Sequence, residues 1–461
     1  MSAARAAADC GARVTVLDEY ARPGGQYFKR AAPAFALEHD QLSREHERGE
    51  AKRAAIDDPR ITVLSAALVW GVFDDSTIMF QRDGKPESLR AGAIVLATGA
   101  HDRPVAFPGW TLPGVMTAGG AQTLAKTQWV KPGHRVLMAG SGPFFLPVAQ
   151  QLVRAGCNIV AILEATRRTQ WLAHLPALWG QWPRFAEARD YLRTIRGAGI
   201  PVRTGYKIVA AEGDGRVAAA RIAKVDADWR AVPGSHETLE VDAIATGYGF
   251  LPAIEIAASM SCDLRWDSDG LAWFVDCGRD MATSRPGVFA AGEITGIAGA
   301  APAIEEGIIA GIGAAAHAGL IGEAEADQRR LRPLARRAKL DRFARMINSL
   351  FRPRPGLWEG VDGDTVVCRC EEVTALEIRA AAADGCVTLK AVKDLTRAGM
   401  GLCQGRTCRA LVTTLIAEEA GIDPGSIPFP RIRPPIKPVL AGALAAMALP
   451  GDTGPDSEAT G

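Results

Sequence analysis

Four cysteines towards the C-terminal end have the spacing of a chemical site. Cys368 and Cys370 stand one residue apart, Cys403 and Cys408 stand four apart, and 32 residues separate the two pairs. Four thiolates on two turns that flank a helical segment can close a tetrahedral or a dinuclear metal site. Lys390, Lys393, Arg397 and Arg406 lie nearby in sequence and can offset the negative charge of such a cluster. Zinc is the usual occupant of a four-cysteine set, yet zinc sites draw mostly on C-x-x-C knuckles, and C-x-C departs from that pattern. Cys10, Cys157, Cys262, Cys277 and Cys386 have no paired spacing and read as small buried hydrophobes.

A second kind of site is written at 135–165, RVLMAGSGPFFLPVAQQLVRAGCNIVAILEA, a strand, glycine turn, helix and second strand. Gly140 and Gly142 permit a tight turn and the approach of a pyrophosphate to the helix N-terminus. Glu164, at the end of the second strand, suits a ribose hydroxyl and repels a 2′-phosphate. Phe145 stands where the pattern has a small residue and crowds helix against strand, so whether this unit binds NAD is left open.

The same unit measures the opening, MSAARAAADCGARVTVLDEYARPGGQ. Placing Gly11 over Gly156 aligns Glu19 with Glu164 and Met1 with Leu146, so the counterparts of Gly140 and Gly142 fall ahead of Met1. The expectation is that the chain begins at an internal methionine and that in-frame upstream codons encode a strand and a G-x-G-x-x-G turn. Three further segments point to the same nucleotide site. Asp18 and Glu19 lead into Gly24-Gly25-Gln26; Ala97-Thr98-Gly99 ends a strand; Gly292-Glu293 ends another before a small-residue helix start, Gly296 to Ala301, with Gly299 and Ala300 as contacts.

In this order the segments resemble the two-dinucleotide-domain flavoproteins of the glutathione/thioredoxin reductase class. The resemblance implies FAD in the first domain, NAD(P)H in the inserted one, and a ribityl contact at Gly292-Glu293, where Glu replaces the class's Asp. The class's redox-active cysteine pair is absent, since no Cys follows Gly24-Gly25 and the inserted domain holds only Cys157, which speaks against disulfide reduction. The cysteine segment resembles the bacterioferritin-associated ferredoxin domain. Its C-x4-C pair with R-A-G-M-G-x-C-Q-G-R is similar to the variant in large subunits of bacterial amine dehydrogenases, which implies [2Fe–2S] on Cys368, Cys370, Cys403 and Cys408.

Nearly the whole chain, including HDRPVAFPGWTLPGVMTAGGAQ and RIRPPIKPVLAGALA, resembles the α-type subunits of heteromeric opine oxidases, hydrogen cyanide synthase and D-hydroxyproline dehydrogenases. That family implies an FAD-bearing β subunit, similar to D-amino-acid and sarcosine oxidases, which oxidises the C–N bond. It also implies a small ferredoxin-like γ subunit, an FMN between subunits, and a respiratory-chain acceptor. The expected role of this chain is electron relay. An independent NAD(P)H-dependent FAD/[2Fe–2S] reductase and a non-catalytic nucleotide-binding scaffold are the alternatives. No catalytic base is assigned. His101, beside the Ala97–Gly99 segment, is a candidate flavin-side group, with a plain surface position as the expectation.

These sites require an α/β frame: two Rossmann-like dinucleotide domains, one inserted in the other, and a small mainly α C-terminal [2Fe–2S] domain. The expected boundaries are 1–120 (flavin domain, first part), 121–243 (inserted domain), 244–325 (flavin domain, return), 326–359 (linker with a helix), 360–425 ([2Fe–2S] domain) and 426–461 (Pro-rich tail with a disordered end). Ile61–Val72 and Ser76–Arg82 read as strands of a small antiparallel insert, and 37–55 and 171–182 as a polar and a Trp-rich helix. A net charge of +1 gives no cause to expect nucleic acid as a partner. Without a signal peptide or an apolar span, a cytoplasmic location follows, with peripheral association at the inner membrane face compatible with a respiratory acceptor.

Overall fold

A computed structural model describes residues 1–29, 44–74, 76–172 and 182–446. The start of the expected polar helix, most of the Trp-rich stretch and the expected disordered end lie outside these residues. Helix α1 (Ser2–Asp9) leads into strand β1 (Val14–Leu17). The helix end is closed by the N–H of Ala12 on the carbonyl of Ala7 and that of Gly11 on Ala8, with Gly11 at φ +92°. In the second unit Cys157 bonds Leu152 and Gly156 bonds Val153, the same two bonds at the alignment of Gly11 with Gly156. The two units are therefore built alike at this point.

After α2 (Arg44–Ala54), β2 (Ile61–Leu64) pairs parallel with β1. Ile61–Val72 is thus not one strand of an antiparallel insert. Ala66, at φ +53°, breaks the run, and only β3 (Leu68–Phe73) joins β4 (Thr77–Arg82) and β5 (Lys85–Arg90) in an antiparallel meander. Strands β6 (Ile94–Leu96) and β7 (Ala100–Asp102) bracket the Ala97–Gly99 segment.

The inserted unit comprises β8 (Val115–Thr117), α3 (Ala118–Gln128), β9 (Arg135–Gly140), α4 (Phe145–Arg154), β10 (Asn158–Glu164), α5 (Arg168–Leu172), α6 (Trp182–Gly197) and β11 (Val202–Thr204). A second antiparallel meander follows, β12 (Tyr206–Glu212), β13 (Ala219–Lys224) and β14 (Glu237–Glu240), and then β15 (Ala243–Gly247). The parallel sheet runs β11-β10-β9-β15-β8. Val136 to Ala139 in β9 are wholly buried, the continuous apolar run of a strand covered on both faces. Residues 244–252, expected to open the return to the flavin domain, divide. Ile244–Gly247 belong to β15 inside the inserted sheet, because residues apolar on both faces fit a central parallel position. Only β16 (Phe250–Pro252) crosses over, pairing antiparallel with β7.

The return continues through α7 (Glu255–Ser259), the hairpin β17 (Leu264–Asp267)–β18 (Ala272–Val275), and β19 (Val288–Ala290), parallel to β6. Helix α8 (Ala300–His317) packs on α1. The helix expected in the linker is α9 (Glu323–Phe351), which fills most of that stretch and lies along α8. Ala326, Arg330, Met346 and Leu350 are buried, and Arg336 and Arg337 reach Glu305 and Glu306 of α8 at 3.5 and 2.9 Å. Part of the basic charge thus holds two helices together.

The C-terminal unit holds β20 (Val366–Cys368), β21 (Val373–Thr374), α10 (Ala375–Ala383), α11 (Leu389–Thr396) and α12 (Arg409–Ala420). Thr374 and Glu377 cap α10 reciprocally. The tail then returns across the first meander to α13 (Ala441–Ala445). No helix among the described residues is long and apolar enough to cross a membrane.

Candidate functional site

Cys368 closes β20 and Cys370 lies in the turn after it, while Cys403 and Cys408 sit in the loop between α11 and α12, with Cys408 as the N-cap of α12. The thiols meet in two pairs, Cys368 with Cys408 and Cys370 with Cys403, each taking one member from either turn. Among the described residues no three His, Cys, Asp or Glu side chains gather around a single point. Two pairs of thiols are the donor set of a two-iron cluster, with two sulfurs for each iron. The hydrogen bond with Cys408, helped by the Gly399 N–H at 3.3 Å, holds the Cys368 thiol down to about 5. Gly401 is required here, because a Cβ on it would come within 2.2 Å of the Cys370 Cβ. The remaining cysteines divide: Cys10, Cys157 and Cys262 are buried, as expected, whereas Cys277 and Cys386 are only partly so.

The basic residues near the cluster take different roles. Lys390 is paired with Asp394, and Arg397 with Glu371 at 2.9 Å. Arg406 reaches across to Glu255 of the flavin unit at 3.3 Å, and Arg409 meets the same carboxylate at 3.5 Å. Glu255 is 3 % exposed, and the Arg409 guanidinium lies over the Phe429 ring at 4.4 Å. His101 joins this cluster and is not a plain surface residue. Its Nε2 lies 3.5 Å from the Arg406 carbonyl, and burial lowers its pKa, with Glu255 opposing. Sequence reading missed Glu255 and Arg409, which have no motif; their one signal is a charge placed in an apolar stretch.

The flavin-side segments are held by the chain's own hydrogen bonds. The Asp18 carboxylate accepts the Tyr20 N–H at 2.9 Å, and burial raises its pKa. Glu19 projects outwards and is ion-paired with Lys437 of the tail. Gly24 and Gly25 adopt φ +144° and +59°, and Gln26 donates to the Tyr20 hydroxyl at 2.7 Å. The Thr98 hydroxyl donates to the Ala253 carbonyl, and the Gly99 carbonyl accepts the Ala253 N–H at 2.8 Å, which latches the Ala97–Gly99 segment to the return. The Gly292 N–H donates to Glu306 at 2.7 Å. Glu293 Oε1 accepts the N–H groups of Gly299 and Ala298 at 2.6 and 3.3 Å, and burial raises its pKa. Gly299 caps α8 with open space where a side chain would stand, and Ala300 is the first residue of that helix. A helix N-terminus with no side-chain cap, beside glycine turns, fits the phosphate and ribityl portions of a flavin nucleotide.

The inserted unit has the expected strand–turn–helix, but its turn is engaged. The Glu164 carboxylate accepts the N–H of Gly142 at 2.9 Å and of Thr166 at 2.8 Å, and burial raises its pKa. A Cβ on Gly140 would meet the Gly247 carbonyl oxygen at 2.0 Å. Phe351, at the end of α9, lies 3.9 Å from where a Gly142 Cβ would stand, and its ring meets Trp171 edge-on at 5.2 Å.

Residues 1–307 match the family described as pyridine nucleotide-disulphide oxidoreductase, and 366–418 the BFD-like [2Fe-2S] binding domain. The cofactors are accordingly FAD and [2Fe–2S]. The opine oxidase A-type subunit of Rhizobium meliloti is 33% identical over 99% of this chain and 88% of its own length. The HcnB subunit of hydrogen cyanide synthase from Pseudomonas aeruginosa is 32% identical over 96% of each. The L-proline dehydrogenase of P. horikoshii shares the fold, with a TM-score of 0.68 at 20% identity over 96% of this chain and 77% of that one. The chain therefore belongs to the pyridine nucleotide-disulphide oxidoreductase family, as a flavin and [2Fe–2S] oxidoreductase subunit homologous to HcnB and to the A-type subunits of opine oxidases.

Proposed function

We propose that this chain is the electron-transferring subunit of a heteromeric amine or amino-acid dehydrogenase of the opine, glycine or hydroxyproline type. Oxidation of the C–N bond falls to a β subunit similar to D-amino-acid and sarcosine oxidases, with a small ferredoxin-like γ subunit completing the complex. The observation that carries this reading is the buried Glu255, which grips Arg406 and Arg409 on either side of Cys408 and ties the cluster loop to the flavin unit beside His101. When bound, flavin takes electrons in pairs and [2Fe–2S] passes them singly, which suits a relay. The chain's own residues, Glu255 with Arg406 and Arg409, hold the cluster loop against the flavin unit.

The inserted unit supports the same assignment. Glu164 accepts the Gly142 N–H and Phe351 stands beside the glycine turn, so an entering nicotinamide nucleotide competes for a turn the chain already uses. The test is anaerobic reduction of the purified chain, alone and with its β-type partner. The expected result is bleaching by the amine substrate only with the partner present and little bleaching by NADH. Rapid bleaching of the isolated chain by NADH would establish the reductase alternative. A nucleotide that neither reagent reduces would establish the scaffold.

A further inference from the structure

The C-terminal tail carries a lysine to the flavin-side acid. The Ile436 N–H donates to the Trp70 carbonyl of β3 at 2.9 Å, and Arg406 of the cluster loop holds the Ile436 carbonyl at 3.1 Å. Ile436 is 3 % exposed, and further along the tail the Leu440 N–H donates to Gln81 of β4 at 3.3 Å. Between these anchors Lys437 extends to Glu19 Oε2. Both side chains remain about one-third exposed, at 34% and 37%, within reach of a ligand.

Glu19 is met by a residue from the far end of the chain. We infer that Lys437 is a nucleotide-binding residue that recognises the adenylate half of the flavin nucleotide, the ribose hydroxyls and diphosphate, together with Glu19. The ammonium occupies one carboxylate oxygen and leaves Oε1 to accept a ribose hydroxyl. It has three N–H donors and uses one on Glu19, so others are available to ligand oxygens. It also cancels one of two adjacent negative charges, Asp18 and Glu19, that would otherwise repel a diphosphate.

This inference rests on Glu19 as the ribose acid, and the experiment separates the two. Full-length apoprotein is titrated with FAD by flavin fluorescence, and with ADP in competition, for wild type, Lys437→Ala, Lys437→Gln, Lys437→Arg and Glu19→Ala. Loss of a charge-assisted contact predicts that Lys437→Ala and Lys437→Gln weaken FAD and ADP in parallel by about tenfold, while Lys437→Arg retains most of the affinity. Using both neutral variants guards against one that fails to fold. Unchanged or tighter FAD binding in the neutral variants overturns the inference, as does a loss for FAD with none for ADP. Unchanged binding in Glu19→Ala overturns the ribose-acid reading. Weakening in Glu19→Ala with none in the lysine variants removes Lys437 alone.

Discussion

Glu255 has two guanidinium partners from another part of the chain and almost no contact with water. Glu255→Ala leaves both cations near the cluster loop without their carboxylate. Breaking a buried pair in this way costs about 3–5 kcal/mol, measured as a lowered denaturation midpoint with loss of visible cluster absorbance. His101, packed against the same network, supplies a pH dependence. Burial lowers its pKa below 6.5, so the unfolded chain takes up the proton first. Its contribution to stability is complete above pH 6.5 and is lost as the pH falls through that value towards the lower folded pKa. Denaturant midpoints on either side of pH 6.5 should fall further for wild type than for His101→Gln.

At the scale of elements, the flavin unit depends on two helices that approach through small residues. Gly307 and Gly311 of α8 face Ser2 and Ala3 of α1, and a Cβ on Gly311 would lie 2.3 Å from the Ala3 carbonyl oxygen. Gly311→Val pushes α1 away and with it the turn that leads into Asp18 and Glu19. A destabilisation of about 3 kcal/mol is expected, with reduced FAD retention, checked by thermal melting and flavin content after gel filtration. The strand–turn–helix at Gly140–Gly142, the helix–strand at the opening and the cysteine pairs flanking α10 and α11 were all legible in the sequence, because each is a local pattern. The assignment failed for 244–247, while 250–252 does return to the flavin unit, because an apolar strand is equally suited to either sheet. Only the pairing of Ile244 with Leu137 decides between them.

Across the whole molecule, one hydrophobic core runs from the flavin unit through the inserted unit to Val367, Leu411 and Ile416 of the cluster unit. Trp110 donates to the Val366 carbonyl at 2.6 Å, and Lys207 meets Glu359 at 2.7 Å across the same junction. Such continuity predicts a single cooperative thermal transition for the holoprotein. It also predicts that removing iron with a chelator lowers the midpoint of the whole transition. Two calorimetric peaks, with only the smaller responding to chelation, would show that the cluster unit melts on its own.

Local pattern alone determined the helix–strand and strand–turn–helix units, their order and the two close cysteine pairs of the [2Fe–2S] domain. Each depends on residues close in sequence, or on a spacing that a turn or a helix imposes. Only the tertiary structure decided how the charges are shared. Glu255 and Arg409 lie 154 residues apart, and Glu19 and Lys437 lie 418 apart. No periodicity links such pairs. They meet because the buried core and the returning tail bring their backbones together, and for Glu255 and Arg409 burial then makes each partner necessary to the other.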